Sequence, residues 1–423
     1  MRKTAALLLV LLVLASAFLT GADFAFGEPL VDDSWMSVSS VPTNANASMG
    51  VIPSFGNIWV AALNGELYCF GGINQHERSG SYAWYGINEK YDTEIGNWTT
   101  ITSPLSTAVV ACRNKIYSIG TPTQVYDPST DTWSNRTSLP QPLAEVKPNV
   151  VEGKIYVISG AKYATLGGVV ISDVTYVYDP ELDSWSTMAS IPTPVEGYAS
   201  AVLHGKIYIM GGAAISQSYS NWVVDLVQIF DPKTNQWTVG KPLPTGVYAA
   251  GACATSGLLA PERIYVVGGN ERYLPWVTSG VLTPHGTTLN QIFDPATGNW
   301  SFGASLPEPR WQCSLVNIND TLFVVGGENG PDTGDLFDNP EKVVLEIDRY
   351  IPSGYEGSLA PIATETPTMV PKPPATQETF PAQLVATVSI AVIAVVIVGV
   401  GLLVYWFTSR NANMRQDKHE EKR

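Results

Sequence analysis

Apolar residues in this chain fall in short runs that close on small residues, and the runs return roughly every 50 positions. The copies are Leu67-Tyr68-Cys69-Phe70-Gly71-Gly72, Ile116-Tyr117-Ser118-Ile119-Gly120, Ile155-Tyr156-Val157-Ile158-Ser159-Gly160, Ile207-Tyr208-Ile209-Met210-Gly211-Gly212, Ile264-Tyr265-Val266-Val267-Gly268-Gly269 and Leu322-Phe323-Val324-Val325-Gly326-Gly327. Each reads as a buried strand bounded by glycine, where backbones crowd or φ turns positive.

A second block follows five of these runs. Tyr91-Asp92, Tyr126-Asp127, Tyr178-Asp179, Phe230-Asp231 and Phe293-Asp294 precede Trp98, Trp133, Trp185, Trp237 and Trp300, and the aromatic-to-Trp spacing is seven residues each time. Asp, often followed by Pro, begins a hairpin, and Trp opens the next strand. The diglycine run with its Tyr…Trp pair resembles the kelch repeat. The resemblance implies an all-β, six-bladed β-propeller with four strands per blade. The regular spacing favours packing over a sugar-binding array for these aromatics.

The sixth repeat lacks its Trp: Gly354 stands where one is due after Asp348. An unmatched Trp35 lies at the other end. Pro140, Pro192, Pro244 and Pro307 each follow a repeat Trp by seven residues, and Pro42 follows Trp35 by seven; Trp98 departs from this, with Pro104 six residues on. Residues 34–41 are therefore expected to supply the outer strand of a blade completed by residues 310–350, closing the ring and removing its open edge.

The ends extend the picture. Arg2 and Lys3 precede an apolar stretch from Ala5 to Leu19, a secretory leader within residues 1–27 with cleavage after Ala17, Ala22 or Gly27. Residues 28–356 hold the propeller, and residues 357–383, rich in Pro and Thr, read as a stalk. Residues 384–406 carry no charge and as a helix would reach ~34 Å, enough to cross a membrane. Tyr405 and Trp406 end that stretch, and Arg410, Arg415, Lys418, Lys422 and Arg423 follow within a tail at 407–423. The expected arrangement is a single C-terminal transmembrane helix, a cytoplasmic tail and an extracellular propeller at the cell membrane. This layout resembles microbial cell-surface kelch proteins, archaeal ones included.

Net charge is −14, which speaks against nucleic acid as a partner. The four cysteines, Cys69, Cys112, Cys253 and Cys313, show no CxxC spacing and read as buried, mostly unpaired thiols. Sequons at Asn46, Asn97, Asn135, Asn299 and Asn319 are glycosylation candidates, with Asn97, Asn299 and Asn319 in hairpins on one face.

No catalytic signature, clustered metal ligands or phosphate loop is legible, so neither metal nor cofactor is expected. Galactose-oxidase-like kelch enzymes bind copper through two Tyr and two His on seven blades, whereas this chain shows six repeats and only His76 and His285 in loops; sialidase propellers carry a different Asp box. A carbohydrate-active site like that of sialic-acid mutarotases, built from loop carboxylates and Arg at the channel mouth, is the alternative reading. The main one is a binding module for an extracellular glycan, peptide or protein. Its expected ligand face collects the second-to-third-strand loops and the blade-to-blade connections. Loops 73–86 and 270–288 are long, whereas 120–123 is short and leaves a gap. The candidate ligand residues are His76, Arg78, Trp84, Tyr85, Arg272, Tyr273, Trp276, Arg310 and Trp311, with Glu145, Lys147, Glu196, Tyr198, Tyr248 and Glu308 on the connections. Tyr198, Tyr248 and Trp311 could instead seal the contacts between blades.

Overall fold

The computed structural model describes residues 32–42, 57–76, 82–102, 104, 108–163, 169–214, 223–271, 286–329 and 344–357. Within them the chain forms six four-stranded antiparallel sheets. Blade one is β2 (Asn57–Leu63), β3 (Glu66–His76), β4 (Tyr82–Asp92) and β5 (Trp98–Thr100). Blade two is β6 (Ala108–Cys112), β7 (Lys115–Ile119), β8 (Thr123–Asp127) and β9 (Thr132–Arg136). Blade three is β10 (Asn149–Val151), β11 (Lys154–Ile158), β14 (Thr175–Asp179) and β15 (Ser184–Met188), with a ribbon of β12 (Ala161–Tyr163) and β13 (Val169–Ile171) inserted between its middle strands. Blade four is β16 (Ala199–Leu203), β17 (Lys206–Met210), β18 (Val227–Asp231) and β19 (Gln236–Val239). Blade five is β20 (Gly251–Ala254), β21 (Ile264–Val267), β22 (Asn290–Asp294) and β23 (Asn299–Phe302). Blade six joins β24 (Ser314–Ile318), β25 (Thr321–Val325) and β26 (Glu346–Ile351) to β1 (Ser34–Ser40).

The ring closes as the Trp35 spacing predicts. Trp35 pairs with Tyr350, and Asp33 N donates to Ile351 O at 2.9 Å. The repeat block explains itself chemically. In Asp92, Asp127, Asp179, Asp231 and Asp294 the side chain accepts the backbone N–H two residues on, at 2.8–3.0 Å, and so forms the turn into the outer strand. Each Trp then stacks tilted on its partner Tyr or Phe, with ring centroids 4.8–5.2 Å apart in all six blades.

The indole N–H groups stitch neighbouring blades. Trp133, Trp185, Trp237, Trp300 and Trp35 donate to the carbonyls of Thr102, Thr137, Ala189, Lys241 and Ala304, at 2.9–3.0 Å. Each acceptor lies four residues past the Trp of the preceding blade. Trp98 completes the circuit by donating to Ser39 Oγ at 2.9 Å, a side chain at the same repeat position. Two residues before Trp, the side chains of Asp33, Asp131, Asp183 and Asn235 accept a backbone N–H from that same neighbouring segment. These four have φ between 47° and 54°, and Gly96 and Gly298 take the equivalent place in the other two blades.

Each apolar run fills the core, as Leu67, Ile155, Ile207, Ile264 and Leu322 are all fully buried. The expectation that glycine turns the chain holds in blades three, four, five and six. Gly212 has φ +88°, and a Cβ there would stand 2.7 Å from Glu196 O. In blade one the diglycine runs straight through a strand, with Gly71 and Gly72 pairing Ile87 and Gly86. The segment 73–86, expected as a loop, is consequently a ribbon out to the His76–Tyr82 pair. Its aromatic and β-branched content suits that pairing.

Strand direction fixes two faces. Connections between blades and second-to-third-strand links share one; the hairpins share the other. After β26 the chain leaves on the hairpin face, where Glu356 N donates to Leu259 O in the β20–β21 link at 2.7 Å. All four cysteines are free, three of them buried, with Cys253 partly exposed. Among the described residues no helix is long and apolar enough to cross a membrane. Residues 384–406, the leader and the stalk lie outside them, except that Gly357 ends the described part.

Candidate functional site

The connection face is built by a second tier of bridges. Ala144 pairs with Ala161, Glu196 with Ala213, Tyr248 with Asn270, and Trp311 with Glu328. Each pair joins the connection entering a blade to the exit of that blade's second strand. The residue after each connection member, Glu145, Gly197, Ala249 or Gln312, has φ of 53–56° and swings the chain into the innermost strand.

That geometry sorts the sequence candidates. Arg310 is fully buried: its guanidinium pairs with Asp348 and donates to Glu346 O at 3.1 Å. Trp311 is 4% exposed and packs with Tyr248, Ala249 and Ala213. Tyr198 is fully buried and donates to Ile158 O at 2.5 Å. Arg310 and Trp311 are thus placed inside the mouth, not on its surface; the physical reason is the tier of bridges, which draws both connection residues under the strand exits. His76, Trp84 and Tyr85 fall on the blade-one ribbon by backbone register. Arg78, Arg272, Tyr273 and Trp276 lie outside the described residues, as does Asn46. The other sequon residues, Asn97, Asn135, Asn299 and Asn319, are all exposed.

The innermost strands enclose a channel cavity of about 290 Å³, lined by residues from all six blades. Lys147 projects into it, its Nζ 4.5 Å from the centre of the Trp59 ring. These two are repeat equivalents: Trp59 lies two residues before Ala61, which pairs with Tyr68, and Lys147 two before Asn149, which pairs with Tyr156. The same position holds Ala108, Ala199, Gly251 and Ser314 in the remaining blades, counted from the corresponding pairs. Two large side chains therefore meet where the repeat otherwise keeps small ones. Burial pushes the Lys147 ammonium below its usual range, against the pull of Glu145.

Two carboxylates, Glu145 and Glu196, lie on the connections entering blades three and four. Burial raises Glu145, with Lys147 opposing. Glu196 is 5% exposed, and burial followed by the Glu145 charge pushes it up to about 7. Among the described residues neither forms an ion pair. A second cavity of about 280 Å³ opens at blade two, between Ile119, Pro122, Leu139, Pro142 and Leu143. It lies beside the short link in which three residues separate β7 from β8. Among the described residues no group of three His, Cys, Asp or Glu is placed to hold a metal.

Comparison with known proteins agrees with this architecture. The model of the KLHDC2/KLHL20/DRC7 kelch-repeats domain matches residues 108–327, just over half the chain. This protein belongs to the kelch-repeat family. It is similar to Kelch-like protein 35 of Mus musculus, 27% identical over 59% of this chain and 40% of that protein. It is also similar to Kelch-like protein terF of Aspergillus terreus, 27% identical over 63% of this chain and 60% of the relative, and to Beta-scruin of Limulus polyphemus, 25% identical over 54% and 24%. Each match spans less than two thirds of the relative's own length. The solved structure of YjhT superposes with a TM-score of 0.52 at 19% identity, covering 70% of this chain and 94% of that one, a likeness of fold.

Proposed function

We propose that this protein is a cell-surface interaction module that engages an extracellular protein through the connection face of its propeller. The observation that carries the reading is the polarity of the ring: the chain departs on the hairpin face, beside Leu259. The connection face lies opposite that exit. The leader, the charge-free stretch at residues 384–406 and the basic tail motivate a membrane tether. Glycans on exposed Asn97, Asn299 and Asn319 would cover the hairpin side, although the Asn46 sequon belongs to a connection on the ligand side.

The contacts proposed for the ligand are His76, Arg78, Trp84, Tyr85, Arg272, Tyr273 and Trp276. Arg310 and Trp311 serve as the buried floor of that site. A carbohydrate-active mouth draws less support, because Arg310 already spends its charge on Asp348. A panel of extracellular proteins and glycans, displayed against the purified full chain, tests the reading. Trp84→Ala and Trp276→Ala should lower affinity for the protein captured while the melting temperature stays within ~2–4 °C. Loss of stability with affinity per folded molecule intact would make these aromatics packing residues. Capture of glycans alone would change the ligand class.

A further inference from the structure

The proposed binding face has one portion whose chemistry specifies what it accepts. The blade-two notch is apolar, and its lining residue Ala144 is followed directly by Glu145. The next connection, which carries Glu196, flanks the same strand exit: Ala144 pairs with Ala161, and Gly160 N donates to Val195 O at 3.2 Å. Apolar notch and paired carboxylates thus lie side by side along the rim.

Among the described residues neither carboxylate forms an ion pair, although the Lys147 charge acts on Glu145. Glu196 is nine-tenths buried without an ion pair, and a buried anion of that kind is costly unless it is neutralised. Lys147 is the basic group at hand, but its ammonium is drawn down to the Trp59 face inside the channel. Lys115, Lys154 and Lys206 pair with Asp127, Asp179 and Asp231 of the hairpin turns. The chain as a whole carries −14, which favours a cationic over an anionic partner segment.

We infer that the rim takes an extended segment of a partner protein, whose Lys or Arg enters between Glu145 and Glu196 while an adjacent aliphatic or Pro side chain fills the notch lined by Ile119, Leu139 and Leu143. The inference rests on the interaction role proposed above and names the partner's chemistry. The paired carboxylates supply selectivity by charge, and the notch supplies shape. A segment with Asp or Glu at the same place meets repulsion from both carboxylates.

The test uses short fluorescent peptides carrying Leu next to Lys, norleucine or Glu, read by anisotropy on the purified full chain. The Lys peptide should bind about tenfold more tightly than the norleucine peptide, and the Glu peptide should bind least. E145Q combined with E196Q should erase the Lys-to-norleucine difference without lowering the melting temperature. Leu143→Asp should weaken the Lys and norleucine peptides together. Equal binding of the Lys and norleucine peptides, persistence of their difference in the double Gln variant, or no binding by any peptide overturns the inference. A protein partner whose capture depends on Trp84 and Trp276 but not on Glu145 or Glu196 would overturn this inference alone and leave the proposed function standing.

Discussion

Two carboxylates show how one residue type serves opposite ends here. Asp320 is buried, which alone would raise it, yet backbone N–H groups of Ser256, Leu259 and Ala260 outweigh burial and hold it at about 2. Its folded pKa is depressed, so it stabilises the fold above the unfolded value and loses that contribution as pH falls from about 4 to about 2. Asp320→Asn should cost about 2 kcal/mol at neutral pH and flatten the acid limb of a melting-temperature profile. Glu196 behaves in the opposite sense. Its folded value near 7 exceeds the unfolded 4.5, so stability declines as pH rises through that window. Glu196→Gln should match the native chain at pH 4 and exceed it at pH 8, by at most about 3 kcal/mol. Equal pH profiles for the two proteins would show that the carboxylate is solvated.

At the scale of the element, β1 is the decisive strand. Asp33 and Tyr350, hydrogen-bonded across the closure, stand 317 residues apart in sequence. Removing residues 28–41 should abolish the cooperative unfolding transition or cause aggregation, because β26 would become an open edge. Trp35→Ala alone removes a 2.9 Å bond to Ala304 O and the stack on Tyr350, and should cost about 3 kcal/mol in denaturant unfolding. The closure was legible because Trp35 and Pro42 keep the repeat's spacing. The blade-one ribbon was not, because a diglycine permits an extended strand as readily as a turn; which one forms depends on pairing partners beyond the run. The acceptors two residues before Trp were also passed over, although Asp33, Asp131 and Asp183 repeat at a fixed offset and could have been read.

For the whole molecule, blade number and strand order were legible, since both depend on local spacing. The interior of the site was not. Glu145, Lys147 and Glu196 were visible as connection residues, but their proximity comes from bridges between segments far apart in sequence. The Trp59–Lys147 contact could have been suspected: aligning the six repeats exposes two bulky residues at a position otherwise small. Arg310 resembled a ligand anchor from sequence, and only its burial against Asp348 reassigns it. The proposed orientation has its own check. Protease added to intact cells should release a soluble propeller by cutting within residues 357–383; release only after lysis would reverse the topology.

The position of β26 has a mechanical consequence. It lies between β25 and β1 and is hydrogen-bonded to both. Tension applied through the residues after Gly357 enters the ring along this strand. Extraction must then slide two ladders at once, whereas an outermost strand would slide only one. Borrowing its final strand from the start of the chain thus places the point of traction in the interior of a sheet, so that a pull on the tail is resisted from both sides.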